Sequence, residues 1–206
     1  MICGNRMIAN APQIWYTYVI IFMEGTAMEN TQKRLIIFTD IGDTVIDEGT
    51  EIRNDEDIVI HAECIPGAKE TYLRLYEAGY TIVMVADGLT KSFHNTMELH
   101  GLDHIFSAWI ISDVIGEDKP SPKMFSAAME AMGLTEKDKS RILMIGNNVT
   151  RDIRGANRFG LTSVLIDWSK RRPFTEELPE DHADWRIHTP EELFPLAEML
   201  EAQLEK

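Results

Sequence analysis

The stretch Leu35-Ile36-Ile37-Phe38-Thr39-Asp40-Ile41-Gly42-Asp43-Thr44-Val45 constrains the fold more than any other part of the chain. Four apolar residues run almost directly into a carboxylate and an acidic turn containing glycine. An apolar run without polar alternation reads as a strand buried on both faces, the central strand of a parallel α/β sheet. Asp40 then stands at the carboxyl end of that strand, where open α/β sheets bind their ligands. A carboxylate there serves as a nucleophile, a metal ligand or both. An Asp that only starts a turn or caps a helix leaves the same local pattern.

The rest of the chain alternates strands with helices. Apolar runs at 80–86, 106–111, 141–145 and 161–166 read as further buried strands. Helices are expected over 66–78, 90–100, 120–132, 150–159 and 191–205. Pro66 and Pro120 suit a first helical turn, and Gly79, Gly101 and Gly133 suit the stops. This order predicts a three-layer, Rossmann-like, doubly wound parallel sheet. Between residues 45 and 62 the sequence alternates weakly around the turn cluster Asn54-Asp55-Glu56-Asp57, which predicts a small β-hairpin flap over the end of the first strand. The 206 residues suffice for a single domain, placed at 34–206.

Charge and cysteine content narrow the partners. A net charge of −14 argues against non-specific nucleic-acid binding and against an anionic membrane surface. Cys3 and Cys64 give no disulfide framework or metal spacing, so a reducing cytoplasm is the expected compartment. Residues 1–33 do not resemble the rest. Their apolar run at 14–23 falls far short of the ~20 residues that span a bilayer. It reads as a signal-peptide core, as an extra element, or as translation from upstream of a true start at Met28. The third reading is the expectation, because codons for Glu24-Gly25 can spell a purine-rich ribosome-binding sequence.

Asp40-Ile41-Gly42-Asp43-Thr44 resembles the first motif of the haloacid dehalogenase (HAD) superfamily, Asp-x-Asp-Gly-Thr. Asp40 matches the nucleophile and Thr44 the threonine, while the second Asp, the family's general acid/base, falls on Gly42. Ala86-Asp87-Gly88 stands where the family has Ser or Thr followed by Asn-Gly, so a phosphate-binding hydroxyl is replaced but backbone amides remain. Gly116-Glu117-Asp118-Lys119-Pro120 matches the third motif closely, with Lys119 neutralising nucleophile and phosphate together. Gly146-Asn147-Asn148-Val149-Thr150-Arg151-Asp152 matches the fourth, keeping the second carboxylate as Asp152 and replacing the first by Asn147.

The resemblance implies an Mg²⁺-dependent phosphohydrolase acting through an aspartyl-phosphate. Asp40 and Lys119 would do the chemistry. Thr44, Ala86, Asp87, Gly88 and Lys119 would bind the phosphoryl group. Asp40, the Gly42 carbonyl, Asn147 and Asp152 would hold the metal. The changed groups each serve a transition state, and general acid–base help is typically worth ~10²–10⁴ in rate. Slow or specialised turnover is therefore expected. The alternative is a degenerate member that binds a phosphorylated ligand or a protein. Dehalogenation is weaker, because it needs no Mg²⁺ and Asp152 is kept. A replacement acid is sought among Asp43, Asp47, His61 and Glu63, with Asp43 better suited to shaping the turn. Only 45 residues separate Asp40 from Ala86, and 32 separate Ala86 from Lys119, too few for a large cap domain. The substrate is a phosphorylated molecule, with room for a bulky one, and a homo-oligomer partner is the remaining way to cover the site. The basic run Lys170-Arg171-Arg172, with Trp168 beside it, should lie on the same edge as Asp40. It reads either as a lure for an anionic substrate or as a solvated loop.

Overall fold

A computed structural model describes residues 32–172 and 174–204. The chain opens with β1 (Ile36–Thr39), whose four residues are all buried. A two-stranded antiparallel hairpin follows, β2 (Ile52–Arg53) and β3 (Val59–His61). Then come α1 (Ala68–Glu77), β4 (Thr81–Ala86), α2 (Thr90–His100), β5 (Phe106–Ile111), the single turn α3 (Ser112–Ile115) and α4 (Pro122–Ala131). The chain continues through β6 (Ile142–Gly146), α5 (Arg154–Phe159), β7 (Thr162–Ile166), β8 (Trp185–Ile187) and α6 (Leu193–Leu204).

Six strands form one parallel sheet in the order β5-β4-β1-β6-β7-β8. β1 lies in the middle because its side chains are apolar on both faces. Successive residues of a strand point to opposite sides. Ile37 therefore packs in a cluster with Tyr72 and Leu75 of α1, Met97 of α2 and Leu193 of α6. Ile36 and Phe38 pack in a second cluster with Met124 and Phe125 of α4 and Ala156 of α5. Each large side chain buried in these layers contributes roughly 1.5–3 kcal/mol. The start of β1 is held by Glu201 of α6, whose carboxylate accepts from the amides of Arg34 (3.0 Å) and Leu35 (2.7 Å).

This is the three-layer α/β architecture expected, with the hairpin flap where it was placed. Among the described residues no cap domain is inserted between Asp40 and Lys119, and no helix is long and apolar enough to cross a membrane. The differences are local. The first helix begins at Ala68 rather than residue 66, because Gly67 takes a φ of +80° that an α-helix cannot contain. The helix at 120 begins at Pro122, because the Ser121 side chain caps it by accepting from the Lys123 amide. The helix at 150 opens with a π-helical turn over Val149–Ile153 before α5. A sixth strand, β8, was not foreseen. It has three residues, two of them exposed, at the sheet edge. The expectations on the N-terminal segment up to residue 31, Met28 included, and on Glu205 lie outside the described residues.

Candidate active site

The carboxyl ends of β1, β4 and β6 open into a pocket of about 260 Å³. Asp40, Gly42, Asp87, Gly88, Lys119, Asn147 and Asp152 line its floor. The hairpin and the first turns of α2 wall it, through Arg53, Val59, Ser92 and Phe93 among others. The flap is fastened to that helix: the Val59 amide donates to Ser92 Oγ (3.0 Å), and Asn95 Nδ2 donates to the Val59 carbonyl (2.8 Å).

Lys119 is the centre of the floor. Its Nζ donates to Asp40 Oδ1 and to the Val85 carbonyl, both at 2.7 Å. Asp152 Oδ1 also lies 2.7 Å from that nitrogen as an ion pair, yet it makes no aligned hydrogen bond to any group and is fully buried. Asp152 reaches the strand end because its Oδ2 accepts from the Asn148 amide (2.9 Å) within the widened turn. It also needs Gly146: a Cβ there would come within 2.6 Å of Asp152 Cβ. Thr44 Oγ1 stands 3.5 Å from Asp40 Oδ2.

The electrostatics follow from one ammonium facing several carboxylates in a dry site. Burial pushes Asp40 up to about 6; Lys119 opposes the rise and Asp152 adds to it. Burial alone would lower Lys119, but Asp152, Asp40 and Asp87 around it hold it above the ordinary lysine value. Asp87 is raised by burial against the pull of Lys119.

Asp87 and Gly88 are brought to the pocket, but both are already engaged. Asp87 Oδ1 accepts from the Lys119 amide (2.9 Å) and Oδ2 from Arg151 Nη1 (3.1 Å). The Gly88 amide donates to Ser112 Oγ (3.0 Å), so it is not the free phosphate donor that the sequence suggested. Ala86 is wholly buried in β4 and offers no side-chain group.

The four residues considered for a replacement acid do not line the pocket. Asp43 is buried and clasped by Arg171, whose Nε lies 2.9 Å from its Oδ2, and it also accepts from the Glu48 amide (3.1 Å). Asp47 pairs with the same guanidinium and caps the turn that follows it. His61 and Glu63 pair with each other on the outside of the flap. The basic run does reach this edge, but as paired charge: Arg171 on Asp43 and Asp47, and Arg172 on Glu48 (3.2 Å).

Glu48, Glu51 and Asp57 are pocket carboxylates that sequence reasoning missed, and Glu48 sits nearest the first motif. It lies above Gly42, and a Cβ on Gly42 would run into its Oε1 and come within 2.9 Å of its Cδ. Burial raises its pKa, with Arg172 opposing and Asp43, Asp40 and Glu51 adding to the rise. No local sequence signal marked it, because its place over Gly42 depends on the path of the intervening turn.

A model of the haloacid dehalogenase-like hydrolase family matches residues 7–160, and the chain belongs to that family. The glyceraldehyde 3-phosphate phosphatase of Methanopyrus kandleri is 32% identical over 66% of this chain and 57% of its own. The phosphoserine phosphatase of Thermus thermophilus is 30% identical over 66% of this chain and 51% of its own. The chain thus spans about half the length of the curated relatives it matches. Among solved structures, a HAD phosphatase from Thermococcus onnurineus superposes with a TM-score of 0.64 at 20% identity, covering 79% of this chain and 97% of that one. A HAD-hydrolase from Bacillus subtilis described as bound to magnesium gives 0.64 at 16% identity, covering 81% and 99%. At such identities the superpositions speak for the fold.

Proposed function

We propose that the chain is an Mg²⁺-dependent phosphohydrolase in which Asp40 attacks phosphorus. The observation that carries this reading is the convergence of Asp40, Asp152 and Lys119 at 2.7 Å spacings on the pocket floor. One lysine balances only one of two buried carboxylates, and Asp152 Oδ1 is left without a hydrogen bond. That oxygen, whose close partner is the Lys119 ammonium it shares with Asp40, the Gly146 cradle behind it and a donor set of hard oxygens fit Mg²⁺, which is commonly bound through one or two carboxylates plus waters. Asp40, the Gly42 carbonyl, Asn147 and Asp152 would hold the ion, and it supplies charge neutralisation at the phosphoryl oxygens.

In this reading Lys119 holds Asp40 oriented and ionised and offsets the equatorial charge of the transferring group. Asp40 Oδ forms a bond to phosphorus, the leaving oxygen departs, and water then cleaves the aspartyl-phosphate to return Asp40 and phosphate. The names of the curated relatives support a phosphorylated small molecule as substrate. The chemistry fits a site in the cytoplasm, where such esters are made.

The test is phosphate release from a set of phosphate esters, with and without Mg²⁺, by the protein and by Asp40→Asn. Release that needs both Mg²⁺ and Asp40 supports the reading. A second reading, a catalytically degenerate member that binds a protein or a phosphorylated ligand, draws on the Gly88 amide and Asp87 being engaged rather than presented to a phosphoryl group. Equal background release by the two proteins favours that one.

A further inference from the structure

We infer that Glu48 is the general acid and base of the reaction, doing from the turn after Val45 what no side chain at residue 42 can do. The inference rests on the phosphohydrolase reading above.

The assignment rests on position. A leaving alkoxide needs a proton, and the water that later attacks phosphorus must lose one. The carboxylates of the pocket are Asp40, Asp152, Asp87, Glu51, Asp57 and Glu48. Asp40 and Asp152 face Lys119. Both oxygens of Asp87 accept, one from the Lys119 amide and one from Arg151. Glu51 and Asp57 pair with Arg53 out on the flap.

Glu48 is paired too, with Arg172, but it is set apart by its place. Its Oε1 occupies the space that a side chain on Gly42 would enter, two residues beyond Asp40. The turn carrying it is fixed at its base. The Glu48 amide donates to Asp43 Oδ1, Asp47 caps the turn through the Gly49 amide (2.9 Å), and Arg171 ties both aspartates down. Arg172 Nη2 donates to Glu48 Oε2 at 3.2 Å and to Oε1 at 3.5 Å, and both residues line the pocket. Gly42 leaves that space open: with a Cβ there, the Glu48 carboxylate would have to shift.

The steps balance. As Asp40 bonds to phosphorus and the P–O bond to the leaving group breaks, the Glu48 carboxyl gives its proton to the departing oxygen, yielding an alcohol and a carboxylate. That carboxylate then takes a proton from water as its oxygen bonds to phosphorus. The P–O bond to Asp40 breaks, phosphate leaves and Glu48 is protonated again.

The experiment compares the protein with Glu48→Gln, Glu48→Ala, Gly42→Asp/Glu48→Ala and Asp40→Asn, all with Mg²⁺, on an alkyl phosphate and on an activated aryl phosphate. Phosphate release and the rapid burst of phenolate are both followed. Glu48→Gln is expected to slow the alkyl ester by ~10²–10⁴-fold. With the aryl ester, whose leaving group needs no proton, it should give a stoichiometric burst and accumulate phosphorylated Asp40, because the second step lacks its base. Gly42→Asp/Glu48→Ala should turn over faster than Glu48→Ala, since a carboxylate has been returned to the vacated space. If Glu48→Gln matches the parent on the alkyl ester while Asp40→Asn is inactive, the assignment of Glu48 is overturned and the phosphohydrolase stands. Equal losses on both esters without a burst also overturn it, because they mark a structural role. If the parent equals Asp40→Asn on every ester, the phosphohydrolase reading falls, and the role of Glu48 falls with it.

Discussion

Lys119 Nζ and Asp152 Oδ1 lie 2.7 Å apart, and each side chain is 1% exposed. The same nitrogen is 2.7 Å from Asp40. Removing it leaves two carboxylates facing each other in a dry site. Lys119→Met is therefore expected to lose about 3–5 kcal/mol in urea unfolding, the usual cost of orphaning a buried charge. Lys119→Met/Asp152→Asn should recover part of that loss, because one of the stranded charges is gone.

Asp40 carries a pH signature of its own. An acid whose folded pKa is raised stays protonated where the unfolded chain has already released its proton. Its contribution to stability is thus present at low pH and declines as pH rises from the ordinary value of about 3.9 through about 6. In chelator, Asp40→Asn should be more stable than the parent at pH 7, and the gap should shrink toward pH 4. Added Mg²⁺ should close the gap from the parent's side at pH 7. Urea midpoints at the two pH values, with and without Mg²⁺, measure both effects.

Gly155 allows α5 to approach α4 and the loop that carries Lys119. A Cβ there would lie 2.7 Å from Phe125 Cε2 and 3.2 Å from Pro120 Cα. Gly155→Ala should cost about 1–3 kcal/mol through overpacking. It should also lower turnover by up to ~10²-fold, because a shift near 1 Å at a reacting group is felt that strongly. Urea unfolding and steady-state rates on one preparation separate the two effects.

Arg171 answers for a buried Asp43 and for Asp47 at once. Arg171→Ala should cost about 1–3 kcal/mol, at the lower end of buried pairs because its guanidinium is partly open to solvent. The loss in turnover should exceed what the loss in stability explains, since the freed turn carries Glu48. Arg171→Lys keeps the charge without the two-pronged grip and should fall between the two.

What the sequence disclosed and what it hid divide along distance in the chain. β1, β4 and β6 were legible because uninterrupted apolar runs leave little choice but burial on both faces. Asp40, Lys119 and Asp152 were singled out by their resemblance to the family's motifs, and the structure brings the three together. β8 was hidden because three edge residues, two of them exposed, carry no periodic signal. The engagement of Gly88 by Ser112 was hidden because it joins the ends of two neighbouring strands, β4 and β5, 24 positions apart. The clasp of Arg171 on Asp43 spans 128 positions, so the sequence could not show that the two arginines of the basic run are paired. Glu48 lay within six residues of Gly42, yet finding it required the path of a turn rather than its composition.

That clasp also sets an order of events during synthesis. A chain still emerging from the ribosome can hold the first strand and its aspartate long before residue 171 has been made. Until then the acidic turn beside Asp40 has no cation to fasten it. The nascent protein would carry Asp40 beside an unfastened turn until the residues just after the seventh strand have been made.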